Sequence, residues 1–339
     1  GPNNYSLDEQ GYMNVDYAIE ISQNIPAAQL SEKITTAVGM NFMIDKLHFT
    51  TLDVAGDQNP SAMAIGGLTN GTTVRDMTAA FQVFGNGGNY YKPYTYTHII
   101  NNNGETILDN RKEAPTRAMS EVNANIMNKL LHRPMEGDSG TGRLMYRDYL
   151  DTYGKTGTTD NISDLWFVGG TPYGVAGIWN GNPEGAIRLS TETSHKDMWN
   201  KLIQYMWDEY WSKQEERSFH YCEDLVSNTF CRDSGLLAGS NCGRTATGWY
   251  DAQNMPRTCN SGSDHTKFGA TSTTPSSKPS QAPSAAPPTS PPVVTPKPPP
   301  VTDPPPPVTD PPPVTDPPPP VTDPPPVTDP PPPVVTDVI

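Results

Sequence analysis

The 339 residues carry a formal net charge of -14 with no dense Lys/Arg run, so phosphate backbones and anionic lipid surfaces are disfavoured as partners by Coulomb repulsion, and nucleic acid is excluded from the expected partners. Most of the 38 prolines fall after residue 270, and no Phe, Trp or Tyr follows Phe268, which excludes the last fifth of the chain from any hydrophobic core. No stretch approaches the roughly 18 apolar residues of a membrane span, and the start at Gly1-Pro2-Asn3-Asn4 is read as the product of processing or truncation, so any export signal or anchor is expected upstream.

Tyr12 to Glu20 and Pro26 to Val38 show helical apolar spacing, with Pro26 suited to a helix start and a short break over Ile21 to Ile25. Thr73 to Phe84 predicts a second helical stretch, with Val74, Met77, Ala80, Phe81 and Phe84 along one stripe and a stop at Gly85-Asn86-Gly87-Gly88. Tyr94 to Ile100 and Glu105 to Leu108 read as a hairpin closed by Asn101-Asn102-Asn103-Gly104, and helix resumes over Glu121 to His132. Tyr153 to Thr159, Asp164 to Gly170 and Gly174 to Trp179 are closely spaced β-type runs, whose short connections favour an antiparallel sheet. Lys196 to Lys213 is expected to cover that sheet as a last helix. Helices, then meandering strands, then a covering helix give an α+β class rather than a doubly wound parallel sheet.

The four cysteines, Cys222, Cys231, Cys242 and Cys259, include no tight knuckle. Disulfides or free thiols are the plainer reading, a metal site using cysteines with His265 the alternative, and no metal or cofactor is expected. Beyond them, Val-Thr-Asp recurs between runs of three or four prolines, a pattern that predicts a disordered polyproline II spacer. Three regions follow: residues 1–215, a Cys-containing segment over 216–268, and the tail over 269–339.

Two short motifs carry chemistry. Ser22-Gln23-Asn24 sits in the first helix break, and Gly154-Lys155-Thr156-Gly157-Thr158 opens the strand series 133 residues later (155 - 22). Each alone is weak. In this order and setting, with Thr159-Asp160-Asn161, Asp164-Leu165-Trp166-Phe167-Val168-Gly169, Ala64-Ile65-Gly66-Gly67-Leu68-Thr69 and Asn86-Gly87-Gly88 around them, the chain resembles the transpeptidase domain of class A penicillin-binding proteins. The match runs from about residue 10 to 210 and continues more loosely through Cys231-Arg232-Asp233-Ser234-Gly235-Leu236-Leu237-Ala238.

The resemblance implies an incomplete penicillin-binding protein / serine β-lactamase-like fold, an antiparallel sheet flanked by helices, and cross-linking of peptidoglycan stem peptides through an acyl-enzyme at D-Ala-D-Ala. Ser22, Asn24 and Lys155 take the catalytic roles: Ser22 relays a proton to the departing amine, Asn24 holds the substrate amide, and Lys155 keeps Ser22 a donor and attracts the terminal carboxylate. Thr156, Gly157 and Thr158 bind substrate. Alternation places both threonine hydroxyls on one face and Lys155 on the other, the Thr158 N–H serves the oxyanion, and Gly157 admits the substrate backbone to the strand edge. Ser22 as a mere N-cap for the next helix is the bland alternative, while Trp166 and Phe167 read as core. His98, His132 and His195 receive no role.

The family's Ser-x-x-Lys nucleophile motif is absent from the sequence, since no lysine has serine three positions before it. The attacking serine is therefore expected before Gly1, as are a membrane anchor and a glycosyltransferase domain, and the fragment alone is expected to be inactive. Stem peptides and β-lactam antibiotics are the expected partners, in an extracytoplasmic, wall-facing setting. A β-lactamase is disfavoured, because Glu105 to Asp109 fits a hairpin better than a deacylating loop. A D,D-carboxypeptidase and a non-catalytic wall scaffold with a proline stalk remain the rivals.

Overall fold

Closely spaced β-type runs with short connections form a three-stranded antiparallel sheet of β5 (Tyr153–Thr158), β6 (Asp164–Thr171) and β7 (Gly174–Gly181) in that spatial order. The computed structural model describes residue 4, residues 11–183 and residues 185–267, so the expected proline tail lies outside the described residues. Cross-strand partners share a face. Lys155 pairs with Val168 and Val168 with Gly177, whereas Thr156 pairs with Phe167 and Phe167 with Ile178.

Each face has its own helix. On the Lys155 side lies α5 (Val74–Gly85), begun by Thr73, whose hydroxyl accepts from the Asp76 N–H. Gly177 leaves no room for a Cβ beneath Thr78 of this helix, and the buried Tyr153 hydroxyl donates to the Phe81 carbonyl at 2.8 Å. On the Phe167 side lies α7 (Ser194–Met206), whose Trp199 is fully buried with its ring 5.0 Å from Phe167 and its indole N–H on the Ala176 carbonyl. Met135, Met145 and Ile203 complete that core. The helix expected over Lys196 to Lys213 is thus this element, with a π-helical turn at Trp207–Trp211 as its continuation.

Further helices are α1 (Val15–Glu20), α2 (Asn24–Ile34), α3 (Thr36–Asn41), α4 (Pro60–Ile65) and α6 (Glu121–Glu136). One expected helix is in fact two, because Thr35 stands at φ 74° between α2 and α3. Pro26 falls inside the first turn of α2 rather than at its start. On α5 the deepest residues are Asp76, Ala79, Ala80 and Val83, so of the expected stripe only Ala80 is buried, while Met77, Phe81 and Phe84 are partly buried and pack against the core. Small side chains let α5 approach its neighbours on more than one side, and Asp76 is satisfied by the Thr50 N–H and hydroxyl.

The expected hairpin exists as β2 (His98–Ile100) against β3 (Thr106–Asp109), shorter than expected on its first strand, and Glu105 accepts from the Asn101 side chain at its turn. A short pair, β1 (Asn89–Tyr90) with β4 (Thr116–Arg117), follows α5 and precedes α6. Past α7, β8 (Leu225–Cys231) pairs with β9 (Thr245–Asp251), and α8 (Ser261–Lys267) closes the described chain. This hairpin and the segment before it abut α6: the Lys129 ammonium lies 4.7 Å from the Trp249 ring centroid of β9 and 3.9 Å from that of Tyr221, and the Cys222 N–H donates to Asn125. Among the described residues no helix is long and apolar enough to cross a membrane.

Candidate active site

The candidate site starts with the end of a helix. Ser22 donates its N–H to the Ile19 carbonyl and Gln23 donates to Ala18, the two bonds that close a helix through a left-handed residue. Ser22 is that residue, at φ 58°. Glycine usually takes this position, because a Cβ there costs about 1 kcal/mol or more. Strain of this kind collects at functional sites. Ser22 is therefore not the N-cap of α2. Gln23 is, without a side-chain bond, and Asn24 opens the helix, half-buried.

Lys155 reaches this turn from β5. Its ammonium donates to Ser22 Oγ at 2.6 Å and to the Thr156 carbonyl at 3.0 Å. Burial holds its pKa down at about 8, against an ordinary 10.5. With Lys155 as donor, the Ser22 hydroxyl hydrogen remains available for a third group, which is the arrangement a proton donor needs.

Within the sheet, β5 is an edge strand, with β6 as its sheet partner among the described residues. Its outer edge can pair with an extended peptide. Thr158 is exposed at the end of the strand, while the Thr156 hydroxyl donates to Thr141 Oγ at 2.8 Å. The two threonines share a face as alternation requires, but Thr156 already has a side-chain partner. At Gly157 a Cβ would lie 3.2 Å from the Trp166 Cβ, so cross-strand packing favours glycine there. Trp166 is half-buried, 6.3 Å from Trp179 between ring centroids, whereas Phe167 is core as expected.

Sequence reasoning missed four residues that hold this site, Glu20, Arg133, Ser139 and Thr141. Glu20, 2 % exposed, pairs with Arg133 of α6, and its other carboxylate oxygen accepts the Ser139 N–H at 3.1 Å. The Thr141 N–H donates to the Glu20 carbonyl at 3.3 Å. The last residue of α1 thus binds the loop that carries Thr141 to the turn that carries Ser22. The Gly140-Thr141-Gly142 triplet was the available signal: a Cβ at Gly140 would strike the Pro134 carbonyl. A cavity of about 660 Å³ between α5 and β7 contains none of the six expected site residues. His132 is engaged with Asn128 and Glu136, and His195 is buried with its pKa lowered to about 4 by burial.

Residues 3–178 match the family described as penicillin binding protein transpeptidase domain. The chain belongs to that family. It is 30 % identical over 239 residues to penicillin-binding protein 1A of Clostridium novyi, covering 70 % of this chain and 26 % of that protein. It is also 30 % identical over 205 residues to penicillin-binding protein 4 of Bacillus subtilis, covering 60 % of this chain and 32 % of that one. This chain therefore spans about a quarter to a third of the length of these relatives. In fold it is similar to penicillin-binding protein 1A from Haemophilus influenzae, with a TM-score of 0.59 at 19 % identity over 76 % of this chain and 43 % of that one. It is likewise similar to the PonA1 protein from Mycobacterium tuberculosis in complex with penicillin V, with a TM-score of 0.52 at 20 % identity over 64 % and 61 % of the two chains.

Proposed function

We propose that this chain supplies the proton-relay turn and the substrate-binding strand of a peptidoglycan D,D-transpeptidase, acting outside the cytoplasmic membrane on stem peptides ending in D-Ala-D-Ala. The observation that carries the reading is the 2.6 Å bond between Lys155 and Ser22, made across 133 residues at an open strand edge. A buried ammonium with one hydroxyl and one carbonyl for partners retains capacity for an anion, which suits a terminal carboxylate.

The attacking serine comes from sequence outside these 339 residues. It opens the peptide bond between the two D-alanines and forms an acyl-enzyme, with the Thr158 N–H as one oxyanion donor. Ser22 delivers the proton to the leaving D-alanine nitrogen while Lys155 holds Ser22 as donor. Asn24, at the start of α2, holds the substrate amide. Gly157 and Thr158 receive the extended peptide at the strand edge, and Thr156 binds the carboxylate after releasing its bond to Thr141. Transfer to an acceptor amine makes a cross-link, and transfer to water makes a carboxypeptidase. β-Lactams enter as mimics of the scissile amide and stop at the acyl-enzyme.

Fluorescent penicillin tests this assignment. The 339-residue chain is expected to show no covalent label, and a longer polypeptide that adds a Ser-x-x-Lys segment is expected to label. Lys155→Ala in that longer form removes the label. Covalent labelling of the shorter chain, or undiminished labelling of the Lys155 variant, overturns the assignment.

A further inference from the structure

Three of the four cysteines converge although no two are close in sequence. The Sγ atoms of Cys231, Cys242 and Cys259 and a ring nitrogen of His265 all lie within 4.8 Å of one another. Cys231 Sγ is 3.1 Å and Cys242 Sγ 3.7 Å from the Nε2 atom of His265. Around a tetrahedral zinc ion with Zn–S near 2.3 Å and Zn–N near 2.0 Å, ligand atoms stand about 3.5–3.8 Å apart. All four cysteines are free thiols, and Cys231 and Cys259 are buried. We propose that Cys231, Cys242, Cys259 and His265 form a structural zinc site that fastens the β8–β9 hairpin to α8.

The backbone is arranged to present these groups. Leu237 bridges two segments, pairing antiparallel with Phe230 and parallel with Thr258, so the ends of β8 and of the segment after β9 lie side by side. The Cys231 N–H donates to Leu236 and the Cys259 N–H to Leu237, which sets both cysteines against one loop. In that loop the Gly239 N–H points at Cys242 Sγ at 3.3 Å, a bond that favours the thiolate a metal requires. A Cβ on Gly239 would strike the Cys259 carbonyl, so this close approach needs glycine. His265 is held from behind: the buried Asp264 binds Arg257 through both oxygens at 2.7 Å and accepts the Asn260 N–H at 2.8 Å.

The local core is too small to do this alone. From Leu225 onward the buried apolar side chains among the described residues are Phe230, Cys231 and Cys259. Segments with so little burial are commonly stapled by metal or disulfide. A disulfide between any two of the three sulfurs would leave the third thiol and the imidazole idle, whereas one zinc ion uses all four. Three thiolates and an imidazole are the donor set that selects zinc, and with four protein ligands the site is closed. Loading zinc displaces the thiol protons to solvent.

The test uses the full 339-residue chain, purified under reduction. Inductively coupled plasma analysis is expected to find about one zinc per chain, and a denaturing thiol assay to recover all four thiols after chelation. Cys222→Ser, which changes the cysteine outside the cluster, keeps the zinc. Cys259→Ser and His265→Ala each reduce it at least fivefold. Because those variants could misfold, cobalt(II) is also titrated into the metal-stripped wild-type chain, where about one equivalent should give the intense visible bands of tetrahedral thiolate coordination. Failure of the wild-type chain to retain zinc or to develop the cobalt spectrum overturns the proposal, as does a non-reduced peptide map joining two of Cys231, Cys242 and Cys259.

Discussion

Replacing Lys155 by methionine keeps an unbranched side chain of similar length and removes the charge. A pKa of about 8 in the folded chain, against 10.5 ordinarily, corresponds to roughly 3 kcal/mol of folding free energy withheld at neutral pH, or about 2–3 kcal/mol once the partial exposure of the site is allowed for. Between pH 8 and 10.5 the unfolded chain binds this proton and the folded chain does not, so the wild type gains stability as pH rises through that window. Below pH 8 both states are protonated and the penalty is constant. At pH 7 the two effects of the substitution oppose each other, since methionine removes the burial penalty but also loses the bonds to Ser22 and the Thr156 carbonyl. The pH dependence is therefore the informative quantity. Urea unfolding followed by tryptophan fluorescence at pH 7, 8, 9 and 10, for both proteins, isolates it. Tyr153 and Tyr221, whose pKa values burial pushes up, cancel in the difference. The wild type should gain about 2–3 kcal/mol on Lys155→Met across the window. Parallel curves would show that Lys155 carries no burial penalty, and the account of its readiness for an anion would fall.

Ser22→Gly should be more stable than Ser22→Ala by about 1 kcal/mol, because both lose the hydroxyl but only glycine relieves the left-handed turn; equal unfolding midpoints would refute the strain. Glu20→Ala leaves Arg133 and the Ser139 N–H without their carboxylate and should cost about 3 kcal/mol in denaturant, with a loss under about 1 kcal/mol contradicting the positioning role. Trp199→Ala empties the core between α7 and the sheet and should cost about 3–5 kcal/mol in the same assay, a smaller loss meaning that the sheet packs elsewhere. Gly157→Val, placed in a longer form that labels with fluorescent penicillin, should slow labelling at least tenfold by crowding Trp166 and the strand edge, and an unchanged rate would remove Gly157 from the binding strand.

Local chemistry made much of this chain legible from its sequence. The β5–β6–β7 meander follows from closely spaced β-type runs with short connections, and α5 from apolar spacing that ends at a glycine cluster. The order and flanks of Ser22-Gln23-Asn24 and Lys155-Thr156-Gly157-Thr158 sufficed to point to the family, because such motifs combine chemistry with a local backbone requirement. The β8–β9 hairpin is not legible in the sequence, since its strands are joined by a cysteine-bearing loop far longer than the roughly two to five residues that mark a hairpin. Tertiary structure alone decided that Ser22 sits in a left-handed helix end, that Lys155 reaches it, that Glu20 ties both to Thr141, and that Cys231, Cys242 and Cys259 meet His265 while Cys222 does not. The helix end at Ser22 is local but lacks the glycine that usually marks it, and the other three contacts join segments apart in the chain, whose meeting is a property of packing that no local pattern encodes.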